Sequence, residues 1–238
     1  MHKRICCAVM ALALCVCALA PHAYATEPLL GFRDLNPRAW YAQGVRYCIE
    51  NDLMQGRGKN WRYFDPNDPV TRAQLVTILW RLSGEPESGL AMQYNDVPED
   101  KWYAGAARWA LAEDVMPGYS AAVFAPDEAV TREQLALILW RYARYLNGYV
   151  PTFEELSLDG YPDCGEVDPE AVEALRWADG MGIMTGVRVK GGGEMLQPNA
   201  AASRSATATI LMRFCLDMGL GDELGVDAET KTETAGTE

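Results

Sequence analysis

The sequence predicts an all-helical protein built from three copies of one helix-loop-helix unit. The stretch "VTRAQLVTILWRL" (Val70 to Leu82) returns sixty residues later as "VTREQLALILWRY" (Val130 to Tyr142). A third, weaker copy contains "ASRSA" (Ala202 to Ala206), with arginine at the same place. Apolar residues in these segments recur with the period of a helix, and internal repeats of this length indicate an array of similar units.

The first 25 residues have the pattern of a secretory signal peptide. "HKR" (His2 to Arg4) precedes an apolar run from Ile5 to Ala20, and "AYA" (Ala23 to Ala25) follows as a cleavage site. The run is short for a membrane-spanning helix and no stop-transfer pattern follows it. We therefore expect an exported, soluble protein with no membrane span after cleavage.

The composition of the remaining chain excludes several classes of function. With Lys3 and Arg4 removed, 19 basic residues face 33 acidic ones, a formal net charge of −14, which argues against nucleic acid as a partner. His2 and His22 both lie in the signal peptide, so histidine-based catalysis and imidazole metal sites are excluded. Three scattered cysteines remain. We expect Cys48 and Cys215, which lie in predicted helices, to be packed in the protein interior. One disulfide pair is still possible in an exported protein.

Each unit is predicted to contain two helices joined by a loop. The predicted segments are a signal peptide (1–25), repeat 1 (26–86), repeat 2 (87–150), a degenerate repeat 3 (151–220) and an acidic tail (221–238) expected to be disordered. An apolar stripe marks the first helix of repeat 1, and a glycine is positioned to end that helix in each repeat as a left-handed cap: Gly56, Gly118 and Gly186. An F-x-P stretch follows, and the second helices of repeats 1 and 2 begin at Thr71 and Thr131.

A capping box accounts for two of the repeated residues. Thr71 followed by Gln74, and Thr131 followed by Gln134, match the pattern in which hydroxyl and amide side chains satisfy the first backbone groups of a helix. Each cap is worth about 1 kcal/mol.

Capping does not explain the arginine at the first helical position, where the helix dipole favours acids. Arg72 and Arg132 have a counterpart in Arg204, which persists in repeat 3 although the capping glutamine is lost. One interpretation is an anion site formed with the free amides of the helix end. The other is a structural arginine paired with Asp34, Asp96 or Asp163. An arginine used only for binding could be replaced with little loss of thermal stability.

The aromatic and acidic residues allow more than one interpretation of their role. Trp40 and Trp102, at a predicted helix start, are candidates for a sugar-stacking wall, whereas Trp80 and Trp140 are expected to pack within the fold. Carboxylates are plentiful, so a glycoside hydrolase stays open as a minor alternative. No catalytic residue, cofactor or metal site is predicted, and we do not expect an enzyme.

The ordered motifs "FRDL…WY…G…YFDPNDPVTRAQLVTILWRL" and "YNDV…WYAGAARWA…G…FAPDEAVTREQLALILWRY" closely resemble S-layer homology (SLH) domains. The resemblance extends over about Gly31 to Leu216. It implies a pseudo-threefold helical bundle with grooves between the repeats. It also implies non-covalent attachment to the cell wall, most often through pyruvylated secondary cell-wall polysaccharide.

Carried over by motif, the resemblance makes Arg72 and Arg132 the first ligand candidates and Arg204 the third. The capping Thr and Gln, the three aspartates and the three glycines would shape the grooves, and repeat 3, which departs from the pattern, would have a structural groove only. The expected partner is a wall polysaccharide or a peptidoglycan-linked polymer. The alternative is a structural or protein-interaction module that contacts other envelope proteins.

Overall fold

The computed structural model describes residues 29–220. The predicted signal peptide and acidic tail lie outside the described residues. Within this range the chain forms six helices, two in each repeat: α1 (Ala42–Glu50), α2 (Arg72–Leu82), α3 (Ala104–Ala112), α4 (Arg132–Asn147), α5 (Val172–Gly180) and α6 (Arg204–Asp217). The prediction of an all-helical fold is confirmed.

The helices pack in a closed ring. The first helix of each repeat packs against the second helix of the preceding repeat: α3 on α2, α5 on α4, and α1 on α6. Because the last helix packs against the first, the described chain has no free end at which the array stops. One continuous apolar core, which includes the fully buried Trp109, Trp177 and Tyr142, lies inside the ring.

A cycle of three backbone hydrogen bonds marks the pseudo-threefold axis. The amide of Val70 donates to the carbonyl of Ala202 (3.0 Å), Ala202 donates to Val130 (2.8 Å), and Val130 donates back to Val70 (2.9 Å). These residues lie just before the three second helices. The axis therefore fixes the starts of α2, α4 and α6 relative to one another.

The second helices begin as the sequence predicts. Thr71 with Gln74 and Thr131 with Gln134 form complete capping boxes at the starts of α2 and α4. In repeat 3, Ser203 alone caps α6 through the amide of Ala206, at 3.2 Å. The amides of Arg204 and Ser205 also donate to the carbonyl oxygens of Asp68 (2.8 Å) and Pro66 (3.0 Å), so repeat 1 holds the start of this helix as well.

Repeat 3 departs from a purely helical unit at its Gly-rich loop. Two short antiparallel strands, β1 (Val187–Arg188) and β2 (Glu194–Met195), pair Val187 with Met195 and Arg188 with Glu194. The loop between them contains three consecutive glycines with positive φ, at 191, 192 and 193. Such backbone angles carry no penalty for glycine, so the extra length of this repeat closes as a hairpin.

Candidate functional site

The helix-start arginines each bond to a neighbouring repeat. Arg204, the first residue of α6, donates from Nε to the carbonyl oxygen of Phe64 at 2.7 Å and from Nη2 to that of Gln55 at 2.6 Å. The same two bonds recur at the other junctions: Arg72 to Phe124 (2.7 Å) and Pro117 (2.8 Å), and Arg132 to Leu196 (2.8 Å) and Thr185 (3.0 Å). The three arginines therefore join each repeat to the next around the ring.

All three arginines are buried, with 4, 8 and 4 % of Arg72, Arg132 and Arg204 exposed. Burial lowers the pKa of each guanidinium, and it lowers that of Arg204 to about 10. All three remain charged at neutral pH. The guanidinium of Arg204 also lies 4.6 Å from the ring centre of Phe64, which partly compensates its lost hydration. Each arginine keeps Nη1 without a hydrogen bond inside residues 29–220.

The three aspartates support these junctions without pairing with the arginines. The carboxylate of Asp34 accepts the backbone amides of Phe64 (2.9 Å) and Asp65 (2.7 Å). Asp96 and Asp163 accept the equivalent amides of repeats 2 and 3: Phe124 and Ala125, and Leu196 and Gln197. Each aspartate thus fixes the loop whose carbonyl receives an arginine. The expected structural arginine exists, but its partners are carbonyl oxygens and not these carboxylates.

The hypothesis of an anion site at free helix-end amides is wrong. At the start of α2, the amide of Arg72 donates to Glu128 (2.9 Å), that of Ala73 donates to Pro126 (2.9 Å), and that of Gln74 donates to Thr71 (3.3 Å). The first amides of α4 and α6 are used in the same way. Adjacent repeats accept hydrogen bonds from the first two amides and the N-cap side chain accepts from the third, so these amides are not available to a ligand.

The three glycines are needed for close packing, and their predicted role as left-handed caps is wrong. The left-handed residues after the first helices come four positions earlier, at Asp52, Asp114 and Gly182. A Cβ on Gly118 would lie 2.4 Å from the carbonyl oxygen of Val123 and 2.5 Å from the ring of Tyr94. Gly56 and Gly186 are equally crowded. These glycines let the loop beside each arginine fold tightly.

Two open grooves lie between the repeats, and each is lined by residues from all three. The Arg132 groove, of about 380 Å³, lies among the start of α4, the loop from Thr185 to Val187, α6, and Trp40. The Arg204 groove, of about 370 Å³, lies among the start of α6, the loop from Gln55 to Arg57, α2, and Trp102. Both volumes are in the range of small-ligand sites.

The grooves are cationic although the protein is strongly acidic. Arg132 and Arg213 line the Arg132 groove, and Arg57, Arg81 and Arg204 line the other. None of the residues that line either groove is acidic. A low-dielectric cleft that is lined by positive charges raises the local concentration of anions.

The two candidate tryptophans stand at these grooves and face solvent. Trp40 is 69 % exposed and Trp102 is 60 % exposed, and each leans edge-on against the following tyrosine. Trp80 and Trp140, by contrast, are partly buried against the core, as expected. An exposed indole beside a groove offers a flat apolar face that packing does not use.

The third groove, at Arg72, is crossed by the protein's own side chains. The ring of Tyr119 lies 4.6 Å from the guanidinium of Arg72, and its hydroxyl accepts a hydrogen bond from Gln134 at 3.2 Å. Arg141 of α4 forms an ion pair with Glu170 of repeat 3. The candidates Arg72 and Gln134 are thus engaged within the protein, whereas Gln74 lines the open Arg204 groove.

Among the arginine and tryptophan residues that line the grooves, four are not predicted site residues: Arg57, Arg81, Arg213 and Trp61. Arg81 and Arg213 have a sequence signal, since arginine stands nine residues after each helix-start arginine, but helix periodicity alone does not place them at a groove. Trp61, 63 % exposed, lies in the 3₁₀ turn Lys59–Trp61 with a positive φ of 54°. Repeats 2 and 3, as the structure describes them, have no equivalent of that turn to mark it.

Comparison with known proteins identifies the family. Residues 31–76 and 93–136 match the sequence model of the S-layer homology domain. The chain therefore contains two S-layer homology domains. Repeat 3 lies outside the matched residues, but it uses the same arginine and aspartate bonds as the other two.

Relatives of this chain include surface proteins and enzymes. It is 29 % identical over 205 residues to a surface-layer 125 kDa protein of Lysinibacillus sphaericus, covering 84 % of this chain and 16 % of the relative. It is 26 % identical over 180 residues to an endoglucanase of Bacillus sp. (strain KSM-635), covering 76 % and 18 %. A cellulosome-anchoring protein of Acetivibrio thermocellus is 25 % identical over 87 residues, covering 35 % and 20 %. The chain spans a fifth or less of each.

The family and these relatives locate the chain at the bacterial cell wall or cell surface. None of the helices between residues 29 and 220 is both long enough and apolar enough to cross a membrane. The same described residues contain no cluster of His, Cys, Asp and Glu side chains that could hold a metal ion.

Proposed function

We propose that this protein anchors non-covalently to the bacterial cell wall by binding an anionic, pyruvylated secondary wall polysaccharide in the Arg132 and Arg204 grooves. The observation that carries the proposal is the pairing of arginine and exposed tryptophan in two acid-free grooves of an acidic chain. Membership of the S-layer homology family supports attachment at the surface.

The chemistry of a pyruvate ketal suits these grooves. The ketal carries a carboxylate, which arginine binds through charge-assisted hydrogen bonds. The adjacent sugar ring has an apolar face that can lie against Trp40 or Trp102. In both Arg132 and Arg204, Nη1 forms no hydrogen bond at the junction between repeats. This group can therefore donate to the ligand.

A protein-interaction role without glycan binding is the second candidate. One relative is named a surface-layer protein and another a cellulosome-anchoring protein, and an envelope protein could occupy the same grooves of this chain. Catalysis is the weakest candidate, because the relatives that are enzymes share with this chain a stretch of a fifth or less of their length. A non-catalytic anchor fits both kinds of relative.

A co-sedimentation experiment with purified cell-wall sacculi tests the proposal. Sacculi carrying the accessory polysaccharide should bring the protein down, and sacculi stripped of that polysaccharide by acid should not. Binding should weaken as salt rises from 50 to 500 mM, since the contact is ionic.

Two results would count against anchoring by glycan. Unchanged binding to stripped sacculi would favour peptidoglycan itself or a residual envelope protein as the partner. Release of reducing sugars from the sacculi over time would indicate a glycoside hydrolase.

A further inference from the structure

The three inter-repeat grooves are built from equivalent positions. Trp40, Trp102 and Glu170 each precede the N-cap residue of the first helix in their repeat. Arg81, Arg141 and Arg213 each lie nine residues after a helix-start arginine. The Arg204 groove therefore holds Trp102 with Arg81, and the Arg132 groove holds Trp40 with Arg213. The Arg72 groove combines Glu170 with Arg141.

In the Arg72 groove, a loop that is fixed by hydrogen bonds holds Glu170 beside Arg141. Its carboxylate accepts a hydrogen bond from Nη2 of Arg141, whose side chain is 20 % exposed. The loop is held because the amide of Glu170 donates to Asp168 (2.8 Å) and that of Asp168 donates to the buried Glu133 (2.9 Å). A protein carboxylate thus occupies the position beside this arginine.

The open grooves lack this internal carboxylate. In the part of the chain that the structure describes, Arg213 forms no ion pair, and Arg81 forms one long ion pair of 3.9 Å with Glu85, an exposed residue that follows the end of α2. Tryptophan replaces Glu170 in both grooves. Neither Arg81 nor Arg213 therefore receives a carboxylate from the position that supplies one to Arg141, although Arg57 at the rim of the Arg204 groove is paired with Asp68 at 2.9 Å.

We propose that Arg81 and Arg213 bind the ligand's carboxylate in the two open grooves, in the way that Arg141 binds Glu170. The third groove is filled by Glu170 and Tyr119, so each chain binds two ligands. This inference rests on the proposed glycan binding and names the residues that carry it.

The geometry of the arginines favours Arg81 and Arg213 over the helix-start pair for this contact. Arg132 and Arg204 already donate hydrogen bonds from Nε and Nη2 to carbonyl oxygens, so only Nη1 remains for a ligand. A bidentate grip on a carboxylate needs two N–H groups on one edge of the guanidinium. Arg81 and Arg213 have such an edge available, and the helix-start arginines supply a second, single contact.

A matched set of arginine variants tests the assignment. Arg81→Gln combined with Arg213→Gln should weaken binding to polysaccharide-bearing sacculi by about tenfold or more, from the loss of a charge-assisted contact in each groove. Arg141→Gln, the same substitution at the equivalent position of the filled groove, should leave binding within about twofold. Circular dichroism melts confirm that all variants are folded.

Titration calorimetry with a soluble pyruvate-ketal monosaccharide glycoside measures the number of sites. The unchanged protein should bind two molecules, and Glu170→Trp combined with Tyr119→Val should bind three. A count of three for the unchanged protein, a count of two for the double variant, or full wall binding by the Arg81 and Arg213 variant would each overturn the assignment. If the unchanged protein binds neither sacculi nor glycoside, both this inference and the proposed function fail.

Discussion

At the scale of single residues, the helix-start arginine is buried, yet part of its guanidinium still faces a groove. Arg204 is 4 % exposed and satisfies two carbonyl oxygens of repeat 1, yet it also lines an open groove. A buried charge is retained only where its hydrogen bonds compensate for lost hydration. The arginine is therefore a structural junction first, and its contribution to binding depends on that role.

This burial reverses the expectation that such an arginine could be replaced with little loss of stability. Arg204→Gln should lower the free energy of unfolding by about 2–4 kcal/mol, because two buried carbonyls lose a charged donor. Arg213→Gln, on the exposed side of the same helix, should change it by less than about 0.5 kcal/mol. Urea unfolding followed by circular dichroism measures both. Equal stabilities for the two variants would show that the junction bonds contribute little.

The exposed tryptophans should behave in the opposite way. Trp40→Ala combined with Trp102→Ala should leave the thermal midpoint nearly unchanged, because both indoles are mostly in solvent. Wall binding should fall about tenfold if sugar rings stack on them. Tyr149→Ala, at an aromatic residue that is 70 % exposed and lines neither groove, is the control and should bind normally.

At the scale of elements, closure of the ring depends on how closely α1 approaches α6. A Cβ on Gly44 of α1 would lie 2.5 Å from Cα of Thr209 in α6, a distance that requires the helices to separate. In α3, Gly105 faces only the Trp80 ring, at 3.5 Å. Two glycines in the first helices of adjacent repeats thus sit in different surroundings.

Substituting these two glycines should therefore have opposite effects. Gly44→Ala should destabilise the protein by about 1–3 kcal/mol, the typical cost of overpacking a tight contact. Gly105→Ala should be neutral or stabilising by up to about 1 kcal/mol, because alanine is the better helix former. Thermal melts of the two variants make the comparison, and a stabilised Gly44→Ala variant would contradict the close packing of α1 on α6.

At the scale of the whole molecule, the shared core contains ionisable groups that favour the neutral form. Burial raises the pKa of the Cys215 thiol to about 12 and also raises the pKa of Cys48 and of Tyr142. Both cysteines are fully buried, as the sequence predicts, and both are free, so the disulfide that the sequence left open is not formed by either. The folded protein therefore keeps these protons at a pH where the unfolded chain loses them.

The consequence is loss of stability in mild alkali. The contribution of the two thiols is complete below about pH 9, the ordinary cysteine value, and falls as pH rises toward the folded-state pKa. Between pH 7.5 and 9.5 the free energy of unfolding should drop by about 1–2 kcal/mol in urea titrations. Cys215→Ala should show a smaller drop over the same interval. Stability that is constant or rising across this range would contradict neutral burial of the thiols.

Local patterns predicted much of the fold because they rest on interactions within a few residues. The capping boxes at Thr71 and Thr131 and the buried stripe of the second helices depend on helix geometry alone, and both are confirmed. The glycine caps were misjudged at Gly56, Gly118 and Gly186 because a tight approach to another segment leaves the same sequence signal as a left-handed turn.

The sequence by itself determined the repeated helical unit, its family and the candidate arginines, since each is visible in residues close together along the chain. The tertiary structure alone decided how the repeats share their parts. A groove takes its arginines, loop and tryptophan from three different repeats, so the loss of tryptophan from repeat 3 closes the groove of Arg72 and leaves that of Arg204 open. The physical reason is that ring closure places residues distant in sequence side by side, and no local pattern records that arrangement.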